Sequence, residues 1–248
     1  MSVSGSRRRP GDGPDRAPLP EKTAEGLARK LEERIAAMGW PVGETVGSEP
    51  ELVAEYGTSR AAFREAVRIL EHHAIARMRR GPGGGLVVTE PDTSSVVRAT
   101  ALHLQYDEAS LSQVFEARSI LELKTVELAA DRIDEKGIRR LRDALRREEE
   151  VQHTGVQPGT HEIHLLIAEL TGNPSLRLFL EVLTKLTVPP PHADERSRAI
   201  RTEHEAIVEA IVSGDTLLAR QHMLAHLTSM TAYFAESRTA QPAPTTPA

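Results

Sequence analysis

Histidine and carboxylate carry whatever metal chemistry this 248-residue chain can do, because it has ten histidines and no cysteine. Without a thiol, disulfides, thiol nucleophiles and cysteine-held zinc are all excluded. Half of the histidines, His161, His164, His204, His222 and His226, fall in three separate stretches with helical apolar spacing. A helical bundle could bring three imidazoles from different helices onto one divalent ion, with water or a bound carboxylate completing its shell. Zn, Ni or Mn would suit such a site, and imidazole favours the first two. A lone histidine on an amphipathic helix is more often a surface or satisfied core residue, so spacing alone leaves both readings open. The alternative is a metal-dependent hydrolase with Glu162 or Glu203 as base, but its motif is incomplete. His161-Glu162-Ile163-His164 is one residue short of H-E-x-x-H, and no phosphate loop, nucleophile elbow or dinucleotide fingerprint accompanies it.

A second group of residues has the chemistry of nucleic-acid recognition. The net charge is −5, yet residues 58–88 hold Arg60, Arg64, Arg68, Arg77, Arg79 and Arg80 against Glu65 and Glu71, while residues 92–248 are acidic in sum. Local basicity joined to an acidic remainder suits a small DNA-contacting module; a solvated basic face is the plainer reading. A helix entering the major groove needs small residues where it nears the bases and long donors beside them. Ala61 and Ala62 permit that approach, Arg60 and Arg64 can reach base edges or phosphates, and Ser59 can donate to a phosphate. Arg79 and Arg80 precede Gly81-Pro82-Gly83-Gly84-Gly85, a tip whose backbone could enter the minor groove. For Arg64 and Arg68, salt bridges to Glu65, Glu71 or neighbouring acids are the competing assignment.

The elements that must position these residues follow from periodicity and punctuation. Leu27, Leu31, Ile35 and Met38 predict a first helix stopped at Gly39. Ser48 and Glu51 form a capping box for a short second helix ending at Gly57, and Thr58 or Ser59 caps a third with Phe63, Val67 and Leu70 on its apolar face. Strand-like runs at Ile75–Arg80 and Leu86–Thr89 flank the glycines as a hairpin. Helical patterns then run through 94–105, 110–133, 135–152, 160–171, 174–188, 195–213 and 215–236, with breaks such as Gly172-Asn173-Pro174 and Gly214-Asp215 between them. The expected fold is mainly α: an N-terminal winged helix-turn-helix, three helices plus a β-hairpin wing over residues 20–90, followed by an all-α bundle over 91–236. Residues 1–19 and 237–248 lack periodicity and are expected to be disordered tails. No apolar run is long enough to span a membrane and no leader pattern opens the chain, so a cytoplasmic protein without membrane contact is expected.

The stretch PELVAEYGTSRAAFREAVRILEHHAIARMRRGPGGGLVV resembles the winged helix of the GntR family, whose most specific portion is S-R-x-x-x-R-E-A with a glycine-rich wing. The resemblance implies DNA contact by Ser59, Arg60, Arg64 and the wing around Arg80 and Gly81. Where the family usually has a basic residue after the S-E that opens the second helix, this chain has Pro50. FEARSILELKTVELAADRI, IHLLIAELTGNPSL and EHEAIVEAIVSGDTLLARQHMLAHL resemble the FCD effector domain of the FadR subfamily. That resemblance implies a metal held by His164, His204 and His226, although the family's aspartate four residues before the first histidine is replaced by Thr160. It also implies that Arg118 points into an effector cavity, where a guanidinium would clamp a small carboxylate; an intrahelical pair with Glu122 is the alternative. Aromatic residues make up 3% of the chain, which disfavours large planar effectors. The function implied is a DNA-binding regulator, with repression the expected sign and no enzymatic activity. It would act as a homodimer on a palindromic operator in double-stranded DNA, under control of a small anionic effector.

Overall fold

The computed structural model describes residues 23–81, 83–154, 162–188 and 194–240. Thr160 and His161, the tail at 1–19 and the prolines at 189–191 lie outside the described residues. The chain divides into two compact units between Ser95 and Val96.

The first unit contains α1 (Ala24–Ala37), β1 (Thr45–Gly47), α2 (Glu49–Glu55), α3 (Arg60–His72), β2 (Ala76–Arg79) and β3 (Gly85–Val88). Leu31 and Ile35 of α1, Leu52 of α2, Phe63 and Leu70 of α3 and Leu86 of β3 are fully buried together, so one apolar core fixes the three helices on the sheet. Ser48 and Glu51 cap α2 reciprocally, and Ser59 Oγ accepts from the Ala62 amide to start α3. Gly57, at φ +57°, makes the left-handed turn that separates α2 from α3, a conformation costly for any residue with a Cβ. The wing is β2 and β3, antiparallel with Ala76 opposite Val88 and Arg79 opposite Gly85. A Cβ on Gly84 would stand 2.3 Å from the Arg79 carbonyl oxygen, which explains a glycine in this tight tip. The sheet has a third strand that periodicity did not predict, since β1 pairs with β3 over only three residues.

The second unit is all helical: α4 (Ser94–Tyr106) enters it from the linker, followed by α5 (Leu111–Arg132), α6 (Glu135–Thr154), α7 (Glu162–Leu170), α8 (Pro174–Leu186), α9 (Asp194–Val212) and α10 (Thr216–Ala240). Its core gathers Val126 and Ala129 of α5, Leu141 of α6, Ile167 of α7, Ile207 and Ile211 of α9 and Met223 and Leu227 of α10. Helix α10 continues to Ala240, into the stretch expected to be tail, because AESRTA contains no helix breaker before Pro242. No helix among the described residues is long and apolar enough to cross a membrane.

Candidate functional site: a recognition helix and a buried histidine centre

On the first unit, α3 presents Arg60 and Arg64 to solvent one turn apart, with Ala61 exposed and Ala62 half-buried between them. Ser59 sits at the helix start, where its oxygen accepts the capping bond and its hydroxyl proton remains available. The arginines are not equivalent. Arg68 Nη1 pairs along the helix with Glu65 Oε2 at 2.9 Å, whereas Arg64 Nε donates across the turn to Glu49 Oε1 of α2 at 3.2 Å. Arg79 Nη2 donates to the Gly83 carbonyl at 3.0 Å, so this side chain braces the wing tip from within. Arg80 and Gly81 are exposed at the tip, Gly81 at φ +97°.

On the second unit, His164 of α7, His204 of α9 and His226 of α10 are buried and face one another. Their ring centroids are 5.2 Å (164 to 204), 5.1 Å (164 to 226) and 4.8 Å (204 to 226) apart. One ligand nitrogen from each lies within 4.8 Å of the other two. Each Nδ1 faces a carboxylate: His164 with Glu122 of α5 at 2.5 Å, His204 with Glu148 of α6 at 2.9 Å, and His226 with Glu203 of α9 at 2.7 Å. A carboxylate at Nδ1 fixes the tautomer with the proton there, leaving Nε2 with its lone pair for another partner. His204 Nε2 is buried and has no hydrogen-bond partner among the described residues. Three converging imidazoles, each backed by a carboxylate, with an orphaned buried nitrogen among them, fit a divalent ion.

Glu122 joins this centre to Arg118. Its Oε1 accepts from Arg118 Nε at 2.5 Å while Oε2 faces His164, and Arg118 Nη1 donates to Thr187 Oγ1 at 3.0 Å. The intrahelical pair considered for Arg118 therefore forms, and it is buried rather than superficial. Burial alone would raise the Glu122 pKa, but Arg118 and His164 together hold it far below the usual carboxylate range. Burial pushes His164 down to about 3 against the opposing pull of Glu122. His226 is lowered in the same way, chiefly by burial and partly offset by Glu203. The resulting charge state is neutral imidazole beside ionised carboxylate, the state in which imidazole can ligate a metal.

Of the residues considered for hydrolysis, Glu162 is exposed and pairs with Arg147, and Glu203 is bonded to His226 and Ser229. Neither stands as a free base at the centre. His222 is half-buried and belongs to no histidine cluster among the described residues. Glu148, Glu49 and Thr187 are partners that no spacing signal picks out, and Glu203 is a histidine partner rather than a base; these contacts span 56, 15, 69 and 23 residues.

A winged helix carrying an arginine-rich recognition helix, in one chain with a helical domain that buries a tri-histidine centre, defines a DNA-binding transcriptional regulator. Residues 23–87 match the family described as bacterial regulatory proteins, gntR family, and residues 113–229 match the FCD domain. The chain thus combines a gntR-family helix-turn-helix domain with an FCD domain. It is 26% identical over 79% of its length to the HTH-type transcriptional regulator LutR of Bacillus subtilis, covering 95% of that protein. It is also 26% identical to the HTH-type transcriptional repressor NanR of Cronobacter sakazakii, over 85% of this chain and 84% of that one. Among solved structures, a GntR protein of Streptococcus agalactiae matches with a TM-score of 0.65 and 26% identity, over 84% of this chain and 98% of that one.

Proposed function

We propose that the chain is a homodimeric repressor that acts on a palindromic operator in the cytoplasm and responds to a small carboxylate bound at a divalent ion on His164, His204 and His226. The observation that carries the reading is the buried, partnerless Nε2 of His204, set among two further imidazoles whose Nδ1 atoms are likewise committed to carboxylates. His164, His204 and His226 would hold Zn, Ni or Mn, which would supply a Lewis-acidic anchor for a carboxylate oxygen. Glu122, Glu148 and Glu203 hold the rings in orientation, and Arg118 adds positive charge beside the centre. Two of the three Arg118 guanidinium nitrogens are already engaged by Glu122 and Thr187, so its contribution to an anion is charge and one remaining edge.

On the DNA side, Ser59, Arg60, Ala61, Ala62 and Arg64 address the major groove, while Arg79, Arg80 and Gly81 present the wing to phosphate or the minor groove. Two such helices in a dimer would read half-sites about one helical turn apart. Control requires the carboxylate to favour one arrangement of the dimer over the other, since only differential affinity shifts a population. The test is a gel shift of the full chain on a palindromic duplex, obtained by selection from random sequence, against a scrambled one. Preference for the selected duplex, relieved by a small carboxylate only in metal-loaded protein, is expected. Equal, wholly salt-driven binding to both duplexes refutes the reading.

A further inference from the structure

Glu49 is an acid at the face that must meet phosphate, and its partner is an arginine of the recognition helix. We propose that Glu49 is a positioning residue for operator specificity: it holds Arg64 by the Nε edge, so that the two terminal nitrogens of the guanidinium are presented together to one guanine. This inference rests on the reading of α3 as the recognition helix.

Glu49 occupies the first turn of α2, and that helix is fixed at both ends. At its start Ser48 and Glu51 exchange capping bonds, the Ser48 amide donating to Glu51 Oε2 at 2.9 Å. At its end Glu55 receives both of its bonds from Arg34 Nη1, at 2.8 and 2.9 Å, and Arg34 Nη2 also donates to the Val46 carbonyl at 3.3 Å, tying α2 to α1 and β1. Glu49 is thus mounted on a rigid base. Its side chain is 24% exposed, against 69% for Arg64, so the carboxylate is the anchored partner and the arginine the projecting one.

The geometry of the contact then selects how Arg64 can read DNA. A guanidinium can form a bidentate pair with guanine O6 and N7 through its Nε edge or through its two terminal nitrogens. The Nε proton is committed to Glu49 Oε1 at 3.2 Å, and among the described residues neither terminal nitrogen of Arg64 carries a hydrogen bond. Only the end-on fork is free. A fork held in place loses less freedom on forming two bonds than one that must find its orientation. The same carboxylate repels phosphate, which weakens sequence-independent binding and widens the gap between right and wrong sites. Pro50, with neither side-chain donor nor backbone N–H, adds no competing donor beside Glu49, and Glu51 is taken up by its capping bonds with Ser48.

Binding-site selection from a pool of random duplexes tests the inference, using the full chain as wild type, Arg64→Ala, Glu49→Gln and Glu49→Asp, each shown by thermal melting to be folded. Arg64→Ala is expected to lose a guanine preference at one position of each half-site. Glu49→Gln should lose about tenfold in discrimination at that same position, keep the others, and bind scrambled duplex more tightly. Glu49→Asp, shorter by one bond of about 1.5 Å, should behave like Glu49→Gln at that position although its charge is unchanged. If either Glu49 variant keeps the wild-type preference there, the positioning role is wrong. If the wild type enriches no motif at all, sequence-specific reading fails and this inference falls with it.

Discussion

Arg118 on α5 and His164 on α7 are joined through the two oxygens of a single buried carboxylate, that of Glu122. The pairing makes the anion-attracting guanidinium and one histidine of the proposed metal centre parts of one network. A change at either end is felt by the other, because inside a low-dielectric core a half-satisfied network costs more than an absent one.

Glu122→Gln should therefore act differently from Glu148→Gln, although each removes the carboxylate behind one histidine. Both are expected to weaken metal binding by about 10- to 100-fold, as loss of an outer-sphere partner typically does. Glu122→Gln also leaves Arg118 buried without a counter-charge, and should lower stability by about 3–5 kcal/mol. Glu148 is partly exposed and pairs with no arginine among the described residues, so its variant should cost clearly less. Chelator-competition titration and urea denaturation separate the two effects; equal destabilisation by the two variants would contradict the shared-carboxylate network.

The metal-free protein should lose stability on mild acidification. His164 and His226 are pushed below the ordinary histidine value by burial, so between about pH 6.5 and the folded-state values the unfolded chain binds more protons than the folded one. Stability from these two groups is complete above about pH 6.5 and declines as pH falls toward 3. Urea midpoints of chelated protein at pH 7.5 and pH 5.5 would show the decline, and His164→Asn with His226→Asn should flatten it. An unchanged midpoint in the wild type would mean that the imidazoles are not held neutral.

At the DNA-binding unit, Arg60 and Arg80 are expected to separate base reading from phosphate contact. Arg80→Ala should weaken all sequences alike and reduce the salt dependence by about one counterion, while Arg60→Ala should relax sequence preference. Anisotropy titrations at several salt concentrations on the selected and scrambled duplexes report both quantities. The same loss of preference from both variants would place the wing and the helix in one role.

The sequence carried most of the helical architecture because each boundary has local chemistry behind it. Asn173 and Pro174 open α8 by capping and by a preset first turn, and Ser48 with Glu51 does so for α2. Met38 falls at the spacing of the apolar face of α1, but it is the C-cap and 42% exposed, since the chain turns away at Gly39. Strand β1 was illegible because three residues are too few to show alternation and its pairing is with β3, distant in sequence. At the histidine centre, the resemblance to FCD domains singled out three rings that the structure brings together. The carboxylates behind them were not legible, because helical periodicity says which face a residue occupies and not which helix will pack against it. The pairing of Glu49 with Arg64 is illegible for the same reason, since it forms only across the turn between α2 and α3.

The most direct test of the account is metal analysis of purified wild type and His204→Ala, combined with thermal-shift measurement using small carboxylates. Expected are about one divalent ion per chain in wild type, a carboxylate-dependent rise in melting temperature that chelator abolishes, and loss of both ion and shift in His204→Ala. A folded wild type that takes up no Zn, Ni or Mn, or a His204→Ala variant that responds to carboxylates as the wild type does, would contradict it and leave the three histidines as packing residues.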